Sequence, residues 1–246
     1  MEQTKNRRLI DIHSHILPGV DDGSQDMDMT RQMLRMAWSQ GIRSIIATPH
    51  CGPDAKEGVT AADLLRLTAD VQREAGKIDP EFHIYSGNEL LYTDSIVERL
   101  EAGTALTLAD TSYVLVEFYS TVSMRECVRA VRRLTAARYL PVIAHAERYP
   151  CLREKGALEE LIQGGALIQI NYRSLTGGLF DRDLSWVKRS VQSGCVHLFG
   201  TDMHNTGQRK PETEKAVFNL IRWVGEERAD ELIFQNPKLI LENQYI

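Results

Sequence analysis

Little in this sequence marks a secreted, membrane-bound or nucleic-acid-binding protein. No apolar run approaches the roughly 18 residues that a membrane-spanning helix needs. The polar stretch Met1–Leu9 lacks the apolar core of a signal peptide. Basic charge is not in excess: 29 Lys and Arg against 34 Asp and Glu leave a net charge of -5, which gives no footprint for nucleic acid. Only four cysteines occur, Cys51, Cys127, Cys151 and Cys195, and no two form a C-x-x-C pair. That argues against a disulfide framework and against a thiolate zinc site. Low-complexity tracts, internal repeats and Pro/Gly/Ser-rich linkers are also missing. These absences predict one cytoplasmic domain over residues 1–246, with no membrane insertion.

Two familiar nucleophiles are missing as well. No G-x-S-x-G elbow is present, which argues against a serine hydrolase. Cysteine phosphatases place an Arg six residues after the nucleophile in an anion-binding loop. Six residues after Cys51 stands Glu57. Cys127 does have Arg133 at that spacing, but inside a predicted helix over 124–138 with no glycine, so the match is coincidental.

What is present is a repeated alternation of strand-like and helix-like segments. Seven strands are predicted: Leu9–His13, Ser44–Thr48, Phe82–Gly87, Tyr113–Phe118, Pro141–His145, Ala166–Asn171 and Val196–Thr201. Several are almost continuously apolar, as parallel strands buried on both faces are. Between them lie capping-box signals at Thr60 with Asp63 and at Ser123 with Glu126, and stop signals at Gly164–Gly165 and Gly194. The tail reads as helical, with Asn236 as N-cap and Pro237 in the first turn. Seven such units without a break predict a distorted α/β barrel, (β/α)7, whose chemistry sits at the C-terminal strand ends.

Six of the seven strands place a His, Asp or Glu at or just past that end. The first carries Asp11-x-His13-x-His15 with Asp21-Asp22-Gly23 following. The others end in His50, Glu89, Glu117, His145-x-Glu147-Arg148 and Asp202-Met203-His204. Residues two apart on a strand point the same way, so His13 and His15 share a face. A lone histidine at a strand end is more often a hydrogen-bonded core residue than a ligand, so the case rests on convergence at one barrel face. His83 and His197 lie six and five residues before Glu89 and Asp202. At about 3.3 Å per residue they fall toward the other end, and both read as structural. Imidazole and carboxylate donors together suit Mn, Fe or Zn. Carboxylates of Asp22, Glu89, Glu117 and Asp202 against three divalent cations leave the site net positive, which favours an anionic substrate. Arg148 and Arg209 add guanidinium forks suited to a phosphate.

Asp11-x-His13-x-His15, Asp22, Thr48-Pro49-His50, Gly87-x-Glu89, Glu117, His145-x-Glu147-Arg148-Tyr149 and Asp202-Met203-His204-Asn205 together resemble the polymerase and histidinol phosphatase (PHP) superfamily. Within it they most resemble the bacterial manganese-dependent tyrosine-protein phosphatases of capsule and exopolysaccharide loci. The resemblance runs from residue 9 to about 245. The stretches Asp11–Gly23 and His145–Tyr149 are its most specific parts. It implies a three-metal site: His13, His15, Glu89 and Asp202 around the first ion, Glu89 bridging to a second held with Glu117 and His145, and Asp22, His50 and His204 around the third. It further implies that Arg148 and Arg209 grip the phosphoryl group. Asp22 is a candidate proton donor to the leaving oxygen. The implied partner is the phosphotyrosine-bearing tail of an autophosphorylating tyrosine kinase. The sequence departs from this pattern after His50, where Cys51–Glu57 is acidic rather than basic or aromatic. Tyr92, Tyr119 and Phe180 are candidate aromatic surfaces near the site. The other readings of the same residues are a phosphatase of a small ester such as histidinol phosphate and, from another class, a metal-responsive binding module.

Overall fold

The computed structural model describes residues 7–52, 55–177 and 182–246. Among them nine strands alternate with nine α-helices. The strands are β1 (Leu9–Ser14), β2 (Ile42–Ala47), β3 (His50–Cys51), β4 (His83–Ser86), β5 (Glu89–Leu91), β6 (Tyr113–Glu117), β7 (Leu140–Ile143), β8 (Leu167–Asn171) and β9 (Leu198–Gly200). The helices are α1 (Met27–Ser39), α2 (Ala61–Gly76), α3 (Ile96–Glu101), α4 (Met124–Ala136), α5 (Ala157–Gln163), α6 (Arg182–Gln192), α7 (Glu214–Val224), α8 (Glu226–Asp230) and α9 (Asn236–Leu241). The strand pairings between them are parallel.

Two sheets result, ordered β1-β2-β4 and β3-β5-β6-β7-β8-β9. Two of the seven expected strands are each broken in two. Thr48-Pro49 separates β2 from β3, and Gly87-Asn88 separates β4 from β5. Proline cannot donate to a ladder. The Pro49 carbonyl accepts from the Glu89 backbone N–H at 3.1 Å and from Asn88 Nδ2 at 3.0 Å, which ties the two breaks together. Counting each broken pair once, nine strands make seven staves. The ring closes where β1 meets the chain after β9. Asp202 N donates to the His13 carbonyl at 2.8 Å, and His15 N donates to the Met203 carbonyl at 2.9 Å. Gly200 permits that approach, because a Cβ there would stand 2.6 Å from the His13 Cβ. The fold is a distorted (β/α)7 barrel.

Ile10 and Ile12 of β1, Ile46 of β2, Leu115 of β6, Val142 of β7 and Leu198 of β9 share one apolar cluster. Side chains of non-neighbouring strands meet in this way only inside the barrel. Ile240 of α9 joins them and helps close the end opposite the site. Both capping boxes form as the sequence predicts, Thr60 with Asp63 and Ser123 with Glu126. Helix α4 buries Cys127, Ala130, Val131 and Leu134, the i, i+3, i+4, i+7 stripe of a core-facing helix. No helix among the described residues is long and apolar enough to cross a membrane.

Two local expectations are corrected. Asn236 is not an N-cap, because the chain reaches it already helical through a π-turn at Glu231–Gln235. Its Nδ2 donates instead to the His197 carbonyl at 2.9 Å. The fifth strand stops at Ile143, so His145 lies two residues beyond it, with φ 33°. Phe180, and Pro53 and Asp54 of the Cys51–Glu57 loop, lie outside the described residues.

His83 is exposed at the start of β4, and His197 accepts from the Ile168 backbone N–H through Nδ1 at 3.1 Å. That bond requires the neutral ring. Burial, with Arg228 adding to it, pushes the His197 pKa down to about 4 from its ordinary 6.5. The unfolded chain takes up this proton first as pH falls, so the stabilisation is complete above pH about 6.5 and is lost toward pH 4. A His197→Asn variant, whose Oδ1 can accept the same bond, should show a shallower loss of stability across that window. Denaturant midpoints of both proteins at matched pH values test this, and parallel slopes would refute it.

Candidate metal centre

β1 delivers His13 and His15 side by side, with their Nε2 atoms 3.4 Å apart. The buried carboxylate of Asp11 pins the opposite edge of the joint. It accepts from Thr201 N at 2.9 Å and from Thr201 Oγ1 at 2.6 Å. Burial pushes the Asp11 carboxyl up to about 6 although these bonds oppose it. Glu89 opens β5 and Asp202 follows β9, and both face the two imidazoles. His13 Nε2 lies 3.2 Å from Glu89 Oε2 and 3.6 Å from Asp202 Oδ1. His15 Nε2 lies 3.1 and 3.5 Å from the same two atoms. Donors about 2.1 Å from one ion stand roughly 3.0–3.4 Å apart, so this spacing suits a shared cation. His13, His15, Glu89 and Asp202 form one group of convergent ligand atoms.

A second group is His50, Glu89 and Glu117. His50 Nδ1 is 3.0 Å from Glu117 Oε1 and 3.3 Å from Glu89 Oε2. His145 Nε2 reaches the other Glu89 oxygen at 2.7 Å and Glu117 Oε2 at 3.7 Å. The third group is Asp22 with His50 and His204, and His15 borders it. His204 Nε2 and His50 Nε2 stand 3.3 and 3.5 Å from Asp22 Oδ1. All nine residues singled out in the sequence therefore meet. His50 lies between two groups, one ring nitrogen toward each.

The outer nitrogens decide how the imidazoles present themselves. His15 Nδ1 donates to Asp21 Oδ2 at 2.7 Å, His13 Nδ1 to Gln169 Oε1 at 3.2 Å, and His204 Nδ1 to the Asp202 carbonyl at 2.9 Å. His145 Nδ1 pairs with the Tyr149 hydroxyl at 3.1 Å. The first three bonds place the proton outside and leave an Nε2 lone pair inside, as ligating histidines require, whereas the Tyr149 hydroxyl can serve His145 as donor or acceptor. His204 Nε2 and His50 Nδ1 are buried without a hydrogen-bond partner among the described residues. Orphaned imidazole nitrogens beside carboxylates fit divalent cations.

Asp21, Gln169 and Asn171 hydrogen-bond the candidate ligands, a role that the sequence does not assign to them. Asp21 also accepts from the Gly23 and His50 backbone N–H groups, at 2.9 and 3.0 Å. Gln169 Oε1 takes the His145 backbone N–H at 2.7 Å, while its Nε2 donates to Asn171, which donates to Asp202 Oδ2 at 2.9 Å. The sixth stave, β8, bears no charged ligand and holds the others with neutral amides. A signal was present: Gln169 and Asn171 are two apart in an otherwise apolar strand.

Charge follows this geometry. Burial alone would lower the basicity of His15, but the bonds to Asp21 and Glu89 push it up to about 10. Burial opposes and Glu89 and Asp202 raise the His13 value. Desolvation lowers His204 to about 4, with Asp22 opposing. The His204 contact holds Asp22 below the usual carboxylate range against partial burial. Arg148 and Arg209 both pair with Asp202, Arg209 through Nη2 at 2.7 Å, and Arg209 Nη1 also lies 3.6 Å from Asp22. Of the aromatic candidates, Tyr119 is exposed at the rim, and Tyr92 is half-buried against Phe118 at 5.7 Å. Burial raises the Cys51 thiol although Arg99 beside it opposes, so no activated thiolate is built here.

Replacing Gln169 by Leu or Asp21 by Asn should leave the fold intact and weaken divalent-metal affinity about 10–100-fold, the usual effect of losing such an outer partner. Calorimetric titration of metal into metal-free protein measures it directly. Affinities equal to those of the parent protein would refute the orienting role.

Residues 9–242 match the family described as Capsular polysaccharide synthesis, CpsB/CapC. The tyrosine-protein phosphatase CpsB of Streptococcus agalactiae serotype V is 34% identical over 97% of this chain and 100% of its own. The tyrosine-protein phosphatase YwqE of Bacillus subtilis is 35% identical over 97% of this chain and 93% of its own. A crystal structure from work on B. subtilis YwqE and Streptococcus pneumoniae CpsB, described as unique metal-dependent tyrosine phosphatases, superposes with a TM-score of 0.87. It shares 33% identity and covers 97% of this chain and 96% of that one. The Escherichia coli phosphotriesterase homology protein, at 11% identity and TM-score 0.57, shares the fold alone. The chain belongs to the CpsB/CapC family of capsular polysaccharide synthesis.

Proposed function

We propose that this protein is a metal-dependent protein-tyrosine phosphatase, formed by residues 1–246 as one domain, that acts in the cytoplasm on the phosphorylated tail of a bacterial tyrosine kinase in capsule or exopolysaccharide regulation. The observation that carries it is the convergence of five imidazoles and four carboxylates at one end of the barrel, four of the rings turning Nε2 inward. Support for the substrate comes from relatives that are named as tyrosine-protein phosphatases.

On this reading His13, His15, Glu89 and Asp202 would hold one divalent ion. Glu89, Glu117 and His145, with His50 Nδ1 close by, would hold a second, and Asp22, His50 and His204 would hold a third. Manganese suits the mixed donors best, and iron and zinc are the alternatives that the same donors accept. Bound ions supply Lewis acidity that makes water nucleophilic near neutral pH and offsets charge on the phosphoryl oxygens.

The chain's own groups do the rest. Each guanidinium has five N–H donors, so Arg148 and Arg209 can keep Asp202 and still offer a fork to the phosphoryl oxygens. Tyr119 at the rim offers a face to the substrate ring. The proton-donor role considered for Asp22 is disfavoured, because the His204 contact holds it ionised. A phenolate leaving group, with pKa about 10, departs without a dedicated acid more readily than an alkoxide does. The site therefore suits phosphotyrosine over phosphoserine.

Chelation should abolish turnover and added Mn should restore it best. With Mn present, kcat/KM should be higher on tyrosine-phosphorylated peptides than on histidinol phosphate or phosphoserine peptides. Equal or better turnover of histidinol phosphate would remove the protein-tyrosine assignment. Replacement of His13, Glu89 or Asp202 by Ala should remove nearly all activity. Arg148→Ala should cost about 2–4 kcal/mol of transition-state stabilisation. Cys51→Ser and Cys127→Ser should retain full activity, and a folded, metal-loaded but dead Cys variant would contradict the mechanism.

A further inference from the structure

A cavity of about 350 Å³ adjoins the metal centre and shares Arg209 with it. Its lining carries four cationic side chains, Arg173, Arg209, Lys210 and Lys215, and two acidic ones, Glu212 and Glu214. Lys210 is held by Glu212 at 2.7 Å. Arg209 is committed on its inner side to Asp202, and its Nε is buried with no hydrogen-bond partner among the described residues. Arg173 has only a long contact to Asp202, at 3.6 Å, and its side chain is 47% exposed. Lys215, at the first turn of α7, makes no ion pair among the described residues. Four cations against two lining carboxylates leave this concave surface with an excess of positive charge, which Asp202, shared by Arg173 and Arg209, offsets only in part. Cations packed together without a counter-charge repel one another, and a bound anion removes that repulsion.

We infer that this cavity is a second anion subsite, which binds an acidic group of the substrate peptide one to three residues from the phosphotyrosine. The inference rests on the phosphatase reading above and deepens it. Three features favour a substrate group over a free anion. The wall formed by Arg209 is common to both sites, so one molecule can touch its two sides. An extended peptide advances about 3.3–3.6 Å per residue, so a side chain two residues along reaches about 7 Å from the phosphotyrosine backbone. The net charge of the whole chain is -5, so an acidic peptide needs a local cationic landing to approach. The anion is a carboxylate of Asp or Glu or a second phosphate, both of which an arginine and a lysine accept.

The test uses the Mn-loaded full chain and its Arg173→Gln, Lys215→Gln and double variants. Substrates are p-nitrophenyl phosphate and three phosphotyrosine peptides of equal length: neutral flanks, Asp/Glu flanks, and a second phosphotyrosine. The parent protein should prefer one or both anionic peptides to the neutral one by about tenfold in kcat/KM. The gain should come through KM and shrink as salt is raised. The double variant should treat the peptides alike, and Lys215→Gln should hydrolyse p-nitrophenyl phosphate at the parent rate. Anisotropy with a labelled, non-hydrolysable phosphonate version of the preferred peptide should show the same loss of binding. Which anionic peptide is preferred identifies the source of the second charge. A parent protein that hydrolyses all three peptides equally, or a preference that survives in the double variant, overturns the subsite alone. A parent protein that hydrolyses none of the four substrates overturns the phosphatase reading, and the subsite with it.

Discussion

Glu89 and Asp202 are each 1% exposed, and both press against the same pair of imidazoles. Taking a carboxylate out of water costs several kcal/mol unless opposite charge and hydrogen bonds replace the water. Much of the site is arranged around that cost. His13, His15, His50 and His145 surround Glu89, and Arg148, Arg209 and Asn171 surround Asp202. In the absence of cations the same field raises the basicity of His13 and His15, so protons take up positive charge where metal ions fit. Affinity for protons and affinity for divalent ions share this one cause, and uptake of the second must displace the first.

The cost extends to the backbone. His145 and Asp202 both adopt left-handed conformations, with φ 33° and 52°, which non-glycine residues hold only at about 1–3 kcal/mol each. Neighbours over-determine them. Gln169 Oε1 takes the His145 N–H, and the His13 carbonyl takes the Asp202 N–H. Gln169 thereby fixes a strained backbone on one stave and a ring tautomer on another. A neutral amide suits this position better than a charged residue, since it satisfies a donor and an acceptor without adding to the buried charge.

The rim has a different character. Arg148, Arg173, Arg209 and Tyr119 are partly or largely exposed, and they belong to the turns after β6, β7, β8 and β9. Barrel scaffolds separate these tasks: strand ends hold the chemistry rigid, and loops adapt the approach. The buried cluster gathers the groups suited to phosphoryl chemistry, whereas the exposed rim presents guanidinium and aromatic side chains to whatever approaches it.

The sequence by itself determined the class of architecture and the membership of the inner cluster. Near-continuous apolar strands, capping boxes and glycine stops mark the seven units, and the ligand types at strand ends follow from the two-residue alternation of β1 and the fixed end at which barrel chemistry sits. The exclusion of His83 and His197 rested on the same rise per residue, and neither joins the cluster. Tertiary structure alone decided what depends on contacts between distant staves. The breaks at Pro49 and Gly87-Asn88 are visible as residues, but whether a stave bends or ends depends on what bonds across the break, here Asn88 and Glu89 to the Pro49 carbonyl. The pairing of Asp21 with His15 cannot be read from the sequence, because which carboxylate meets His15 Nδ1 is set by the turn that Gly23 allows against the His15 backbone. The spacing of Gln169 and Asn171 marks an inward-facing pair in the sequence, but not what the pair does. An amide in a strand acquires its role only when a histidine 156 positions away arrives beside it.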